Sequence, residues 1–242
     1  MTRIKVCGLT RQEDIALCVS AGVHALGFVV EYPHEVPWNL DRKTAEKLMR
    51  AVPPFVSRVI VVGDDPHEVI VLSEFLRPHA VQLHGNESLS VTRDLASAIR
   101  ERGMHVIKAL RFSVETGRCL STDENPIEAA RKVEEAGVDA IVLDSVSEAR
   151  AGGTGQVMDW KTAREIRCAL NIPVLLAGGL NAGNVAGAIE TVHPYGVDVI
   201  SGVEHPVGKK DPGKLEAFAG AVFMFPTGVG MNRRDLPMSR QR

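Results

Sequence analysis

EAGVDAIVLD, residues 135–144, ends a helical stretch on a glycine, turns, and runs through four apolar residues to a carboxylate. Its counterpart near the start of the chain is SAGVHALGFV, residues 20–29. Two copies of one helix–turn–strand unit, each with glycine at the helix stop, point to a repeated βα architecture. Working outward from them, short β-branched runs alternate with longer segments of helical period. The alternation predicts eight strands, at 4–7, 25–30, 58–62, 80–83, 105–110, 140–144, 173–177 and 197–201. Most are continuous apolar runs, the pattern of parallel strands buried on both faces. Eight units in a chain of this length predict one α/β domain, a (β/α)8 TIM barrel over residues 1–221, with a doubly wound open sheet as the alternative. The closing helix is expected at 213–221. Residues 222–242 lack a period and are expected to form an appendage outside the barrel.

Start signals accompany the helices. Thr10 with Glu13 reads as a capping box, Asp41, Asp65 and Asp159 stand where N-caps are needed, and Asn181 precedes AGNVAGAIETV. Composition narrows the function classes. A net charge of −2, with no basic stripe interleaved with aromatics, gives no case for nucleic acid. No run of 18 apolar residues suggests a membrane span, and the N-terminus enters a strand pattern without a signal-peptide core. Cys7, Cys18, Cys119 and Cys168 are scattered without a C-x-x-C pair, so neither a zinc site nor a disulfide framework is expected. A reducing, cytoplasmic setting fits that pattern.

In a barrel the active site assembles where the strands end. The residues closing the expected strands are Cys7, His84, Asp144, Gly178 with Gly179, and Ser201 with Gly202. The last two pairs read together as a phosphate site: bare glycines before a helix start let backbone N–H groups approach an anion. The alternative is that Gly178 and Gly179 only make a tight turn. A carboxylate such as Asp144 at the inner end of a buried strand needs a partner or a task, and Lys108 is the structural partner to consider. The loop ARAGGTGQVMDW holds Gly153 and Gly155 in a GGTG stretch able to fold over a ligand. Cys7 has two readings, an inert core thiol or a reactive one needing a basic neighbour. Lys5 is not taken as that neighbour, on the ground that strand residues alternate between faces.

KVCGLTRQED, AVQLHGNES, VLDSVSEARAGGTGQVMDW, LLAGGLNAGNV and DVISGVE occur in an order and spacing that resemble the phosphoribosylanthranilate isomerase family, (β/α)8 barrels of tryptophan biosynthesis. The resemblance runs from Ile4 to Ala221. It implies an Amadori rearrangement of an N-phosphoribosyl aromatic amine, with Asp144 as general acid, Cys7 as general base, and no metal or organic cofactor. It also implies phosphate binding by Gly178, Gly179, Ser201 and Gly202, a place in the pocket for His84, Gly153 and Gly155, and a small-molecule substrate for a monomer or homodimer. The tail phrase FPTGVGMNR resembles a translated CRISPR-type DNA repeat, and no function is expected of it.

Two positions depart from the family pattern. An arginine after the second strand, in a phrase like Y-P-K-S-x-R-Y, pairs with the anthranilate carboxylate; here the segment is EYPHEVPWNLD, and the arginine's place falls on Trp38 or Pro37. A carboxylate without that partner loses about 1.5 to 3 kcal/mol unless something replaces it. His34 or Arg42 are the substitutes the sequence offers, and Trp38 either stacks on the aromatic ring or packs the loop. Ile200 replaces a serine of the phosphate loop. The missing arginine leaves an isomerase or epimerase of another phosphorylated sugar as an alternative, and a non-catalytic phosphosugar binder as a third reading that the pairing of Cys7 with Asp144 disfavours.

Overall fold

The computed structural model describes residues 1–113, 119–120, 125–146 and 159–224. Each apolar run forms a strand, and each is followed in the chain by a helix: β1 (Arg3–Val6), α1 (Gln12–Ser20), β2 (Ala25–Val30), β3 (Asn39–Leu40), α2 (Arg42–Arg50), β4 (Ser57–Val62), α3 (Pro66–Leu76), β5 (Ala80–Leu83), α4 (Leu89–Glu101), β6 (His105–Ser113), α5 (Pro126–Glu135), β7 (Ala140–Val146), α6 (Trp160–Ala169), β8 (Val174–Leu176), α7 (Val185–Val192), β9 (Gly196–Val199) and α8 (Pro212–Phe223). All pairings between these strands are parallel, in the order β1-β9-β8-β7-β6-β5-β4-β2, and β1 also pairs with β2. That second pairing closes an eight-stranded barrel and excludes the open sheet. The short β3, which no expected strand anticipates, hangs on the outer end of β2, where Val29 stands opposite Asn39.

Alternation decides what lies inside. Val59, Ala80, Ile107, Ala140, Val142 and Ala177 form the barrel's inner cluster, and the opposite faces of the strands pack against the helices through Ile4, Leu26, Phe28, Ile60, Leu83 and Phe218. Full burial of such side chains is worth about 1.5 to 3 kcal/mol each. Small alanines inside and large residues outside leave the C-terminal ends of the strands free to carry chemistry.

Asp41, Asp65 and Asp159 cap their helices as expected, each accepting from the N–H groups two and three residues on. The Thr10–Glu13 box does not form: Arg11 is the N-cap of α1 without a side-chain bond, and Thr10 Oγ1 instead donates to the Gly208 carbonyl at 3.1 Å. Asn184, not Asn181, precedes α7, and the Asn181 side chain turns the loop by accepting from Gly183 N–H at 2.9 Å. The strand at 197–201 is shorter than expected, because Ser201–Val203 wind into one 3-10 turn. α8 runs two residues past the expected boundary to Phe223, with Val222 buried. Residues 225–242 lie outside the described residues, as do Gly153 and Gly155. Among the described residues, no helix is long and apolar enough to cross a membrane.

Candidate active site

A cavity of about 330 Å³ opens at the C-terminal ends of the strands. Cys7, Trp38, His84, Asp144, Gly178, Gly179, Ser201 and Gly202 all line it, so residues scattered over the whole sequence meet at one place. It is the size of a small-molecule site.

Cys7 follows β1 directly, its N–H held by the Val199 carbonyl at 2.9 Å, which fixes the thiol at the barrel rim. The next residue must be glycine. Gly8 has φ of +74°, and a Cβ there would lie 2.8 Å from the Trp38 indole. Trp38 thus packs over the Cys7–Gly8 turn, as one of its two readings held, and its Nε1 donates to Glu204 Oε1 at 2.9 Å. Lys210, fully buried, ties the same corner together, donating to the Cys7 carbonyl and to Glu204 Oε1, each at 2.6 Å.

Beneath the thiol, Lys5 Nζ donates to Asp198 Oδ2 at 2.6 Å, with both side chains buried. Alternation did not license Lys5 as the basic neighbour of Cys7, yet the structure makes it one. Residues two apart in a strand share a face, and Lys5 and Cys7 both point into the barrel. Burial pushes the Cys7 thiol up, and the Lys5 ammonium pulls it back toward the thiolate. Burial likewise opposes the charge on Lys5, yet Asp198 and Cys7 hold its pKa above the ordinary lysine value.

Asp144 lies on β7, opposite Arg111 of β6 in the ladder. Burial, with the Asp198 carboxylate second, raises its carboxyl from 3.8 to about 7, against the pull of Arg111 and Lys5. Near neutral pH the group is divided between acid and carboxylate, the condition under which it can give up a proton. Lys108 is not its partner: that amine donates to the Gly85 carbonyl at 2.9 Å and pairs with Glu87 at 2.9 Å. His84 stands beside the carboxyl, with Nε2 3.6 Å from Asp144 Oδ2, longer than a hydrogen bond. Burial first, then Arg111, Lys108 and Lys5, lower His84 to about 3, so its ring is neutral. Gln82 Nε2 lies 3.1 Å from His84 Nδ1, and the donor and acceptor of that contact follow the tautomer of the ring.

The loops after β8 and β9 border the other side of the cavity. Gly178 and Gly179 have φ of +80° and +64°, which only glycine adopts without strain. Among the described residues, no protein acceptor takes the N–H groups of Gly178, Gly179 or Gly202. A neighbouring cavity of about 490 Å³ shares Gly179, Ser201 and Gly202 and brings in Lys214. Free N–H groups beside a lysine suit an oxyanion such as phosphate. Lys214 carried no signal in the sequence, since it sits two residues inside α8 among surface charges.

His34 lines the cavity, but Arg42 does not: its guanidinium is held by Glu31 at 2.5 Å and Glu68 at 2.9 Å outside it. Arg111, also in the lining, was missed because the fifth expected strand, at 105–110, stopped one residue short of it; β6 runs to Ser113. Its parity with Ile107, an inner residue, was the available clue.

The family model described as N-(5'phosphoribosyl)anthranilate (PRA) isomerase matches residues 4–221. An N-(5'-phosphoribosyl)anthranilate isomerase from Natronomonas pharaonis is 39% identical over 222 residues, covering 91% of this chain and 98% of that one. The crystal structure of phosphoribosyl anthranilate isomerase from Thermotoga maritima superposes with a TM-score of 0.75 at 33% identity, covering 93% of this chain and all of that one. A structure of the same kind of enzyme, in complex with reduced 1-(o-carboxyphenylamino)-1-deoxyribulose 5-phosphate, gives a TM-score of 0.73 at 31% identity, with 93% of this chain covered and 100% of that one.

Proposed function

We propose, from the premise that this chain belongs to the N-(5'-phosphoribosyl)anthranilate isomerase family, that Asp144 and Cys7 are the acid and base of its aldose–ketose isomerisation. The observation that carries the assignment is the meeting of two such groups in one cavity: a carboxyl that burial raises to about 7, and a thiol, also raised by burial, beside a buried Lys5 ammonium that favours its thiolate. A carboxyl still protonated near neutral pH can act as an acid, and a thiol of high proton affinity is a strong base once ionised.

The reaction adds and removes no atoms overall. Asp144 gives its proton to the ribose ring oxygen as the C1′–O bond breaks, and the anilino nitrogen becomes a protonated Schiff base. The Cys7 thiolate then takes the C2′ proton, the pair of electrons moves to the nitrogen, and an enolamine results. Return of a proton to C1′ as the C2′ hydroxyl becomes a carbonyl gives the 1-amino-1-deoxyribulose phosphate. Burial raises the proton affinity of Cys7 and makes it a stronger base once formed. The positive Schiff base arriving beside it favours the thiolate at the moment it is needed.

The phosphate falls to Gly178, Gly179, Ser201 and Gly202, whose N–H groups have no protein acceptor among the described residues. Neutral His84, with Nε2 3.6 Å from Asp144 Oδ2, borders the acid without adding a full charge. Ile200, in place of a serine, removes a hydroxyl from that loop but leaves its backbone donors. The test is turnover of phosphoribosylanthranilate followed by its fluorescence in the wild type, Cys7→Ala and Asp144→Asn. General acid and base groups contribute about 10² to 10⁴ each, so both variants should lose that much of kcat. A Cys7→Ala enzyme of near-normal rate would remove the thiol from the mechanism.

A further inference from the structure

We propose that Arg111 anchors the carboxylate of the substrate's aromatic ring. The proposal rests on the reading of the substrate given above.

That substrate carries two anions, the sugar phosphate at one end and the benzoate carboxylate at the other. The glycine loops after β8 and β9 take the first, and Asp144 on β7 must meet the ring oxygen between them. The strand order β9-β8-β7-β6-β5 then directs the aromatic amine away from the phosphate, across β7 toward β6 and β5. Arg111 stands there, level with Asp144 in the ladder.

Charge narrows the choice further. Among the described residues lining the cavity, Arg111 is the one arginine or lysine. His84 is neutral, Lys5 lies beneath in its pair with Asp198, and Arg42 is held by two glutamates outside. The contact Arg111 makes is with a neutral group: one of its terminal nitrogens donates to Asn86 Oδ1. Its Nε is buried and has no hydrogen-bond partner among the described residues. A buried guanidinium nitrogen without an acceptor is costly, and a carboxylate oxygen is the acceptor whose charge and planar geometry match it. Tyr32, Val36 and Trp38, which line the same cavity, supply an apolar and aromatic surface for the ring. Binding there also acts on the acid. Arg111 draws the Asp144 carboxyl down, and a carboxylate that neutralises the guanidinium relaxes that pull, so substrate itself favours the protonated acid.

Calorimetry on the full chain with two stable ligands tests this: the reduced phenylamino-deoxyribitol phosphate with, and without, the ortho carboxyl group. The wild type should bind the carboxylated ligand roughly tenfold to a hundredfold more tightly, as a charge-assisted pair predicts. Arg111→Met should bring that ratio close to one without weakening the uncarboxylated ligand, and Arg111→Lys, which keeps the charge but loses the planar fork, should fall between. In turnover, KM should rise more than kcat falls. A full carboxylate preference in either variant, or its loss in His34→Ala instead, would overturn the assignment. Failure of the wild type to bind either ligand would instead overturn the substrate reading itself.

Discussion

Replacing Asp144 by asparagine should stabilise the protein at alkaline pH while destroying its activity. The carboxyl titrates at 3.8 where unperturbed and at about 7 in the folded chain. Between those values the folded state binds the proton and the unfolded state has lost it, so stability falls as pH rises through that window and levels off above it. The full difference corresponds to about 4 kcal/mol above pH 7, and roughly 1.6 kcal/mol is already lost at pH 5. Asparagine keeps the shape and cannot ionise, so it escapes this cost at every pH. The advantage of Asp144→Asn over the parent should therefore grow by roughly 2.5 to 3 kcal/mol between pH 5 and pH 8.5, read by urea unfolding of both proteins at both values. In thermal melts, a chain of this length moves about 2 to 4 °C per kcal/mol, so the gap in Tm should widen by about 5 to 12 °C. Comparing variant with parent cancels the other titrating groups. An advantage independent of pH, or a less stable variant at pH 8.5, would show that the carboxyl titrates near its ordinary value, and the acid role derived from its raised pKa would fall with it.

Lys5→Met should cost about 3 to 5 kcal/mol in urea unfolding because it leaves Asp198 buried and unpaired, and Lys5→Met with Asp198→Leu should recover most of that loss. Neither should recover activity, since Cys7 then loses the charge that favours its thiolate; wild-type kcat/KM in the double variant would exclude Lys5 from tuning the base. Gly27→Ala places a Cβ 2.5 Å from Cys7 Sγ, so the thiol must move. Overpacking of that kind costs about 1 to 3 kcal/mol, and kcat should fall at least tenfold even where the variant remains folded, whereas unchanged kinetics would mean that the thiol's position is not critical.

The barrel was legible because its strands are buried on both faces, and a strand so buried must be written as an unbroken apolar run. The runs end where function begins, and for that reason their ends read poorly: Arg111 looks like the start of a loop after HVIKAL, yet β6 continues through it. Asp144 stood out because it closes an apolar run on a carboxylate, which does not belong in a core. Cys7, a residue at home in a core, stood out through its place at the end of the first strand and the motif around it. Their tuning did not, because it crosses the ring closure. Lys5 reads as an ordinary charged residue until β9, 193 positions on, brings Asp198 against it. Thr10 likewise looks like a helix cap until a carbonyl 198 residues away claims its hydroxyl. A local window can reveal an atom that reacts, but the charges that set its pKa belong to whichever strand the closed sheet places beside it. In this barrel β1 and β9, the first and last strands, are those neighbours, so the base proposed at Cys7 gains the charges that tune it only once the two ends of the barrel have met.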